Sequence, residues 1–325
     1  SILVLGPLLA SKGSAKVPLP GGCAIGSRPI DLHVMVMEAL GANIIFDSGF
    51  IIGSLSNEGL KGGDIKFPKV SVGATESAIM TAVLAKGQTK IYNAAREPEI
   101  SDLASCLNQA GADIKGIGTD ILIINGVKEL NQVSHSVVSD RIEAGSFAIA
   151  SSITMGDVEI NNVSTKNLTE FIDVLRYTGS KVEVYNNSIN VSNSKRPRPF
   201  DVITNPYPGF PTDLQAQYMA LMAIADGKTL IRETIFENRF MHAPELIRMG
   251  AKISINHQEA EIYGVKKLKG AKVMASDLRA SMCLILGALA ASGTSEINGL
   301  YHLDRGYENL TDKLTNLGAI IKRSN

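Results

Sequence analysis

Little in this chain of 325 residues belongs to a metal site, a disulfide framework or a membrane span. Its three cysteines, Cys23, Cys106 and Cys283, are odd in number, far apart and without a C-x-x-C, which argues against a disulfide scaffold and for a reducing compartment. None of its five histidines (His33, His135, His242, His257, His302) stands at metal-ligand spacing from another, so metal chemistry is not expected. Neither sign of charge is in excess: 32 basic residues balance 32 acidic ones, where a nucleic-acid binder usually carries a basic surplus. The longest apolar runs, such as residues 280–291, are too short to span a bilayer and suit buried helices. A start methionine and a secretion signal are also missing, and Ser1 already falls within an apolar helical pattern. The expectation is a chain that lacks its beginning.

What the chain does have is a repeat. The phrase helix, glycine, small residue, strand recurs with glycines at Gly41, Gly111, Gly179, Gly250 and Gly318, spaced by 70, 68, 71 and 68 residues. A second phrase, an Ala-rich helix ending in glycine and then a strand, interleaves with it at Gly13, Gly87, Gly156, Gly227 and Gly293. A fixed period means one supersecondary unit copied several times, with each glycine suited to a left-handed helix C-cap. One unit reads helix A, strand, loop, helix B, strand, strand. Helices A (74–86, 141–155, 214–226, 278–292) are apolar nearly all round and should be buried. Helices B (31–40, 101–110, 168–178, 243–249, 308–317) are amphipathic and should cover one side, with short alternating strands forming sheets on the other. The fold class is α/β with helices inside and sheets outside. A boundary near Val138 divides the chain into residues 1–138, with two helix pairs, and 139–325, with three. The imbalance predicts that the first domain is incomplete.

Chemistry concentrates at equivalent corners of the units. Before helix A stand Lys69-Val70-Ser71-Val72-Gly73, Ser139-Asp140-Arg141, Pro211-Thr212-Asp213 and Ser276-Asp277-Leu278-Arg279. A helix N-terminus there suits an anion or a capping side chain, and taken singly Ser71, Asp140, Asp213 and Asp277 read first as caps. Before helix B stand Arg28, Arg96, Lys166, Arg239 and Arg305, whose recurrence favours an anionic substrate held by guanidinium forks. The loop 18–32 adds Cys23, framed by Pro20, Gly21 and Gly22 and followed by Arg28, a setting that favours thiolate chemistry. Gly116-x-Gly118 lacks the third glycine of a dinucleotide fingerprint, and Lys195-Arg196-Pro197-Arg198 is a weak candidate for nucleic acid.

The segments LPGGCAIGSRPIDLH, KVSVGAT, NAAREPEI, SDRIEAGSF, FPTDLQAQ, TIFENRFMH, SDLRAS and YHLDRGYE run over essentially the whole chain. On them the chain resembles the UDP-N-acetylglucosamine 1-carboxyvinyltransferases, the enolpyruvyl transferase family that opens peptidoglycan synthesis in the cytoplasm. The resemblance implies βαβαββ units in two inside-out α/β barrel domains with the active site in the cleft between them. It implies that Cys23 is a general acid that can form an adduct with phosphoenolpyruvate, and that Asp213 takes the proton from the sugar 3-hydroxyl. Arg28, Pro29, Ile30, Asp31 and Leu32, with Lys69, Val70, Ser71, Val72 and Gly73, would hold the uridine and diphosphate, and Ile235 would contact the nucleotide sugar. Arg239, Asp277, Arg279 and the catalytic Arg305 would surround the carboxylate and phosphate of the enolpyruvyl donor. Partners are then phosphoenolpyruvate and UDP-N-acetylglucosamine, without nucleic acid, membrane, metal or organic cofactor. The family's first unit, with a Lys-Asn pair and a further Arg, has no counterpart here, so an incomplete site, inactive alone, is expected. Within the same fold, 5-enolpyruvylshikimate-3-phosphate synthase lacks the cysteine-bearing PGGC loop; a non-catalytic repeat scaffold is the alternative from another class.

Overall fold

The computed structural model describes residues 2–19 and 30–324. They fall into two compact units that meet in sequence between Val138 and Ser139.

In the first unit, α1 (Leu5–Lys12) leads into β1 (Ser14–Pro18), and α2 (Asp31–Ala39) into the hairpin β2 (Ala42–Asp47) and β3 (Phe50–Leu55). The pattern then repeats with β4 (Asp64–Lys66), α3 (Val72–Ala82), β5 (Gln88–Tyr92), α4 (Pro98–Gln109), β6 (Asp113–Lys115) and β7 (Ile121–Asn125). The sheets are ordered β1-β3-β2 and β4-β5-β7-β6. In the second sheet the strands before and after α3 run parallel, with Ile65 opposite Ile91, and the hairpin adds to them antiparallel.

The second unit opens with α5 (Arg141–Thr154), β8 (Asp157–Asn161), α6 (Thr169–Tyr177), β9 (Lys181–Val184) and β10 (Ser188–Ser192). It continues with β11 (Val202–Ile203), α7 (Gln215–Met222), β12 (Lys228–Arg232), α8 (Ala243–Arg248), β13 (Lys252–Asn256) and β14 (Glu259–Tyr263). The last repeat carries β15 (Leu268–Lys269), β16 (Lys272–Met274), α9 (Leu278–Ala290), β17 (Ala291–Ser292), β18 (Glu296–Asn298) and α10 (Leu310–Asn316). The sheet β11-β12-β14-β13 of the repeat before it has the same order as β4-β5-β7-β6, in keeping with the period of about 70 residues.

The helices expected to be buried are buried. Every residue of α7 is inaccessible, and α5, α7 and α9 pack on one another at the centre of the second unit. The strands alternate instead: β5, β10, β12 and β14 each turn every second side chain inward and the others toward solvent. Sheets therefore cover helices, the inside-out α/β arrangement expected from the sequence.

The central helices end earlier than their apolar runs suggest, because neighbouring segments claim the backbone groups that follow. Lys86 N–H donates to the Leu60 carbonyl and its own carbonyl accepts from Gly62, so α3 stops at Ala82. Asp226 N–H donates to the Pro197 carbonyl beyond the end of α7, and residues 291–292 leave α9 to pair with β15. Gly41, Gly111, Gly179, Gly250 and Gly318 all have φ between 90° and 102°, the left-handed region expected of them. Gly156 does not: Met155, at φ 54°, takes the left-handed position one residue earlier, so the repeat is shifted by one at this corner. Arg196 also finds a structural role, donating to the carbonyls of Ile224 and Ala225 and pairing with Asp226 at 2.8 Å, where it caps the exit from α7.

Candidate functional site

Four corners precede central helices, and three are caps. Ser71 Oγ accepts from Ala74 N–H at 3.3 Å, Asp140 from Ile142 and Glu143 N–H at 2.8 and 3.0 Å, and Asp277 from Arg279 and Ala280 N–H at 2.9 and 3.0 Å. Asp213 is the exception. It lies within a single 3-10 turn, Thr212–Leu214, and its carboxylate leaves the backbone alone. Arg239 Nη2 donates to its Oδ1 at 2.7 Å and Arg279 Nη2 to its Oδ2 at 2.8 Å.

This triad draws one residue from each of three places along the chain: the turn before α7, the loop before α8 and the first turn of α9. Arg239 is 5% exposed and lies over the Phe236 ring, 5.0 Å from its centroid. Burial acts to raise the Asp213 carboxyl, but the Arg279 and Arg239 guanidiniums outweigh it and hold its pKa below the usual carboxylate range. An aspartate retained in its basic form, with two cations turned toward one point, can accept a proton and bind an anion at the same place.

Residues that the sequence reading did not single out brace the triad. Tyr307 Oη lies 2.7 Å from Ser146 Oγ, whose own hydroxyl donates to the Ile142 carbonyl at 2.8 Å; the tyrosine is therefore the donor of that pair. Gln217 Nε2 reaches the Asp213 carbonyl at 2.9 Å and Tyr307 Oη at 3.3 Å. The signal for Tyr307 was its place two residues after Arg305 in YHLDRGYE. Arg305 itself is exposed at the end of a 3-10 turn, Leu300–Arg305, outside this network. Asp277 serves as a cap and additionally accepts from Ser276 Oγ at 3.0 Å, while Ile235 is 38% exposed.

His242 is a further buried polar group, under the influence of Asp277 and Arg239. Only 2% exposed, it has an Nε2 with no hydrogen-bond partner among the described residues. Burial pushes its pKa down to about 4; Asp277 acts upward and Arg239 downward. Its folded pKa lies below its unfolded value, so its contribution to stability is complete above about pH 6.5 and is lost as pH falls toward 4. At 1.36 kcal/mol per unit, acidification from pH 7 to 4 should cost about 3 kcal/mol through this ring. Thermal unfolding across that range should show a smaller loss for His242→Gln than for the parent, and identical slopes would mean that the ring titrates normally.

In the first unit, the helix starts expected at a nucleotide site adjoin each other. His33, in the first turn of α2, hydrogen-bonds Ser77 of α3 at 2.7 Å, and a Cβ on Gly73 would stand 3.2 Å from its ring. Ile30, Asp31 and Leu32 are thereby brought beside Val70, Ser71, Val72 and Gly73, which are half-buried, with Lys69 exposed at the edge. Cys23, Arg28 and Pro29 lie outside the described residues. Of the recurring cations, Arg96 is exposed and its Nε donates to the Gly118 carbonyl at 3.3 Å. Among the described residues no group of His, Cys, Asp and Glu is arranged to hold a metal, and no helix is long and apolar enough to cross a membrane.

Residues 1–314 match the family model of EPSP synthase (3-phosphoshikimate 1-carboxyvinyltransferase). Curated relatives include the UDP-N-acetylglucosamine 1-carboxyvinyltransferases of Zymomonas mobilis, 53% identical over 99% of this chain and 76% of that protein, and of Geobacter metallireducens, 54% identical over 99% and 77%. Among solved structures, the enolpyruvyl transferase NikO from Streptomyces tendae superposes with a TM-score of 0.89 at 25% identity, covering 99% of this chain and 77% of its own. EPSP synthase from Acinetobacter baumannii superposes at 0.74 with 20% identity, covering 100% and 78%, which is a likeness of fold.

Proposed function

The chain belongs to the UDP-N-acetylglucosamine 1-carboxyvinyltransferases, within the EPSP synthase family, and from that premise we propose that it moves the enolpyruvyl group of phosphoenolpyruvate to the 3-hydroxyl of UDP-N-acetylglucosamine, releasing phosphate, as the first committed step of peptidoglycan synthesis. The observation that carries the chemistry is Asp213, which is held between Arg239 and Arg279 where its counterparts are helix caps.

The reaction must protonate the methylene carbon of the donor, add the sugar hydroxyl to the neighbouring carbon, and then lose a proton and phosphate to restore the double bond. Asp213 accepts the hydroxyl proton and Cys23 supplies the proton to carbon. Arg239, Asp277, Arg279 and Arg305 surround the donor's phosphate and carboxylate, and Ile235 contacts the nucleotide sugar. Without substrate, two guanidiniums stabilise the Asp213 carboxylate and make it a weak base. An anion that engages the same arginines draws off that charge, so Asp213 gains basicity when the donor is bound. The UDP moiety belongs at the paired helix starts of the first unit, on Arg28, Pro29, Ile30, Asp31, Leu32, Lys69, Val70, Ser71, Val72 and Gly73. Three cysteines, odd in number and far apart in sequence, suit a reducing cytoplasm.

The test is phosphate release from phosphoenolpyruvate by the full-length enzyme with each of two acceptors. UDP-N-acetylglucosamine should support turnover and 3-phosphoshikimate should not. The reverse preference would assign the chain to the other activity of the family, and no turnover with either would favour a non-catalytic role.

A further inference from the structure

Glu233 follows β12 directly and has no accessible surface, yet no cation pairs with it among the described residues. Burying a carboxylate this way is costly unless its lone pairs are occupied. Oε1 accepts the backbone N–H of Ile235 at 2.8 Å and of Phe236 at 3.2 Å, and Oε2 accepts the hydroxyl of Thr212 at 2.9 Å. Its own N–H is fixed to the carbonyl of Gln258, in the turn between β13 and β14, at 2.8 Å, so its main chain is tied to the end of that hairpin.

These contacts close a circuit. Phe236, held by Glu233, lies against the Arg239 guanidinium; Arg239 donates to Asp213; Asp213 follows Thr212; and Thr212 returns to Glu233. A role confined to shaping the 233–236 turn would need only the two backbone donors. The third bond ties that turn to the separate one bearing Asp213.

We propose that Glu233 is the positioning residue of this site, setting Asp213 and Arg239 against each other through Thr212 on one side and the Ile235–Phe236 turn on the other. The inference rests on the function proposed above for the consequence in turnover, but the geometry can be tested without it.

Thr212→Val removes the hydroxyl at constant shape, and Glu233→Gln keeps an oxygen for the backbone donors while replacing the acceptor that faces Thr212. Each should lower kcat about tenfold, the cost of one buried hydrogen bond to a charged group, with KM for phosphoenolpyruvate changed much less. Thr212→Ser, which restores the hydroxyl, should recover most of the loss. Independently of turnover, the Asp213 carboxyl followed by carbon-13 NMR should titrate at higher pH in Thr212→Val and Glu233→Gln than in the parent, because Arg239 is no longer held on it. A carboxyl that titrates as in the parent in both variants would overturn the proposal even if their melting temperatures fell. An inactive parent with the carboxyl shifted as expected would count against the functional reading and leave the positioning role supported.

Discussion

Asp213→Asn should cut turnover about a thousandfold in the full-length enzyme, with no rise in KM for phosphoenolpyruvate. Asparagine keeps the size of the side chain and an oxygen for one guanidinium, so the turn Thr212–Leu214 has no steric reason to move. It cannot accept a proton, and a positioned general base is worth roughly a hundred- to ten-thousandfold. It also leaves Arg239 and Arg279 without a counter-anion, which should make the empty site bind inorganic phosphate more tightly than the parent does. Stability should fall by about 1–2 kcal/mol, well short of the cost of breaking a fully buried pair, because the Asp213 side chain keeps 39% of its surface accessible. The pH dependence has a definite sign. The folded carboxyl titrates below its unfolded range, so its stabilisation is present above that range and lost as pH falls through the folded value; the variant should lack this part of the acid transition. Steady-state kinetics and phosphate calorimetry on the same preparation check the set. Turnover within tenfold of the parent would reduce Asp213 to a structural counter-ion.

The sequence made the period legible because helix, glycine and strand recur at a nearly constant spacing, and a left-handed cap has few chemical solutions. Burial of α5, α7 and α9 was equally readable, since an all-round apolar helix has nowhere else to go. Spacing alone, without the resemblance, could not tell which polar corner departs from a helix cap. Ser71, Asp140, Asp213 and Asp277 are alike in sequence, each a small polar residue ahead of a helix. What sets Asp213 apart is the arrival of distant arginines, Arg239 from 26 residues away and Arg279 from 66. The bracing residues were hidden for the same reason. Ser146, Gln217 and Tyr307 lie on three different repeats, and only packing of the central helices brings their polar ends together. Gly156 shows the opposite limit: a glycine at the right period to which the backbone gave no left-handed role, because Met155 had already taken it.

An epoxide phosphonate, which resembles phosphoenolpyruvate, should alkylate Cys23 and neither of the other cysteines. The thiolate attacks an epoxide carbon, a C–S bond forms as the C–O bond breaks, and the alkoxide takes a proton from solvent. Only a thiol that ionises and can be reached does this at a useful rate. Cys283 meets neither condition: it is fully buried in α9, and burial first, with Asp277 second, pushes its thiol well above the ordinary range. Cys106 sits half-buried on the amphipathic helix α4, and no recurring corner cation flanks it in sequence. Cys23 follows Gly21 and Gly22 and precedes Arg28 by five residues, so its sequence neighbourhood supplies both a permissive backbone and a cation that favours thiolate. Cys23→Asp retains a group able to deliver a proton and removes the nucleophile; turnover should survive while labelling disappears. Cys23→Ala removes both and should lower turnover about a hundredfold or more. Peptide mapping by mass spectrometry after alkylation, together with turnover of the two full-length variants, decides the matter. Labelling of Cys106 or Cys283 ahead of Cys23, or unimpaired turnover in Cys23→Ala, would remove Cys23 from the mechanism and leave the proton to carbon without a donor among the cysteines.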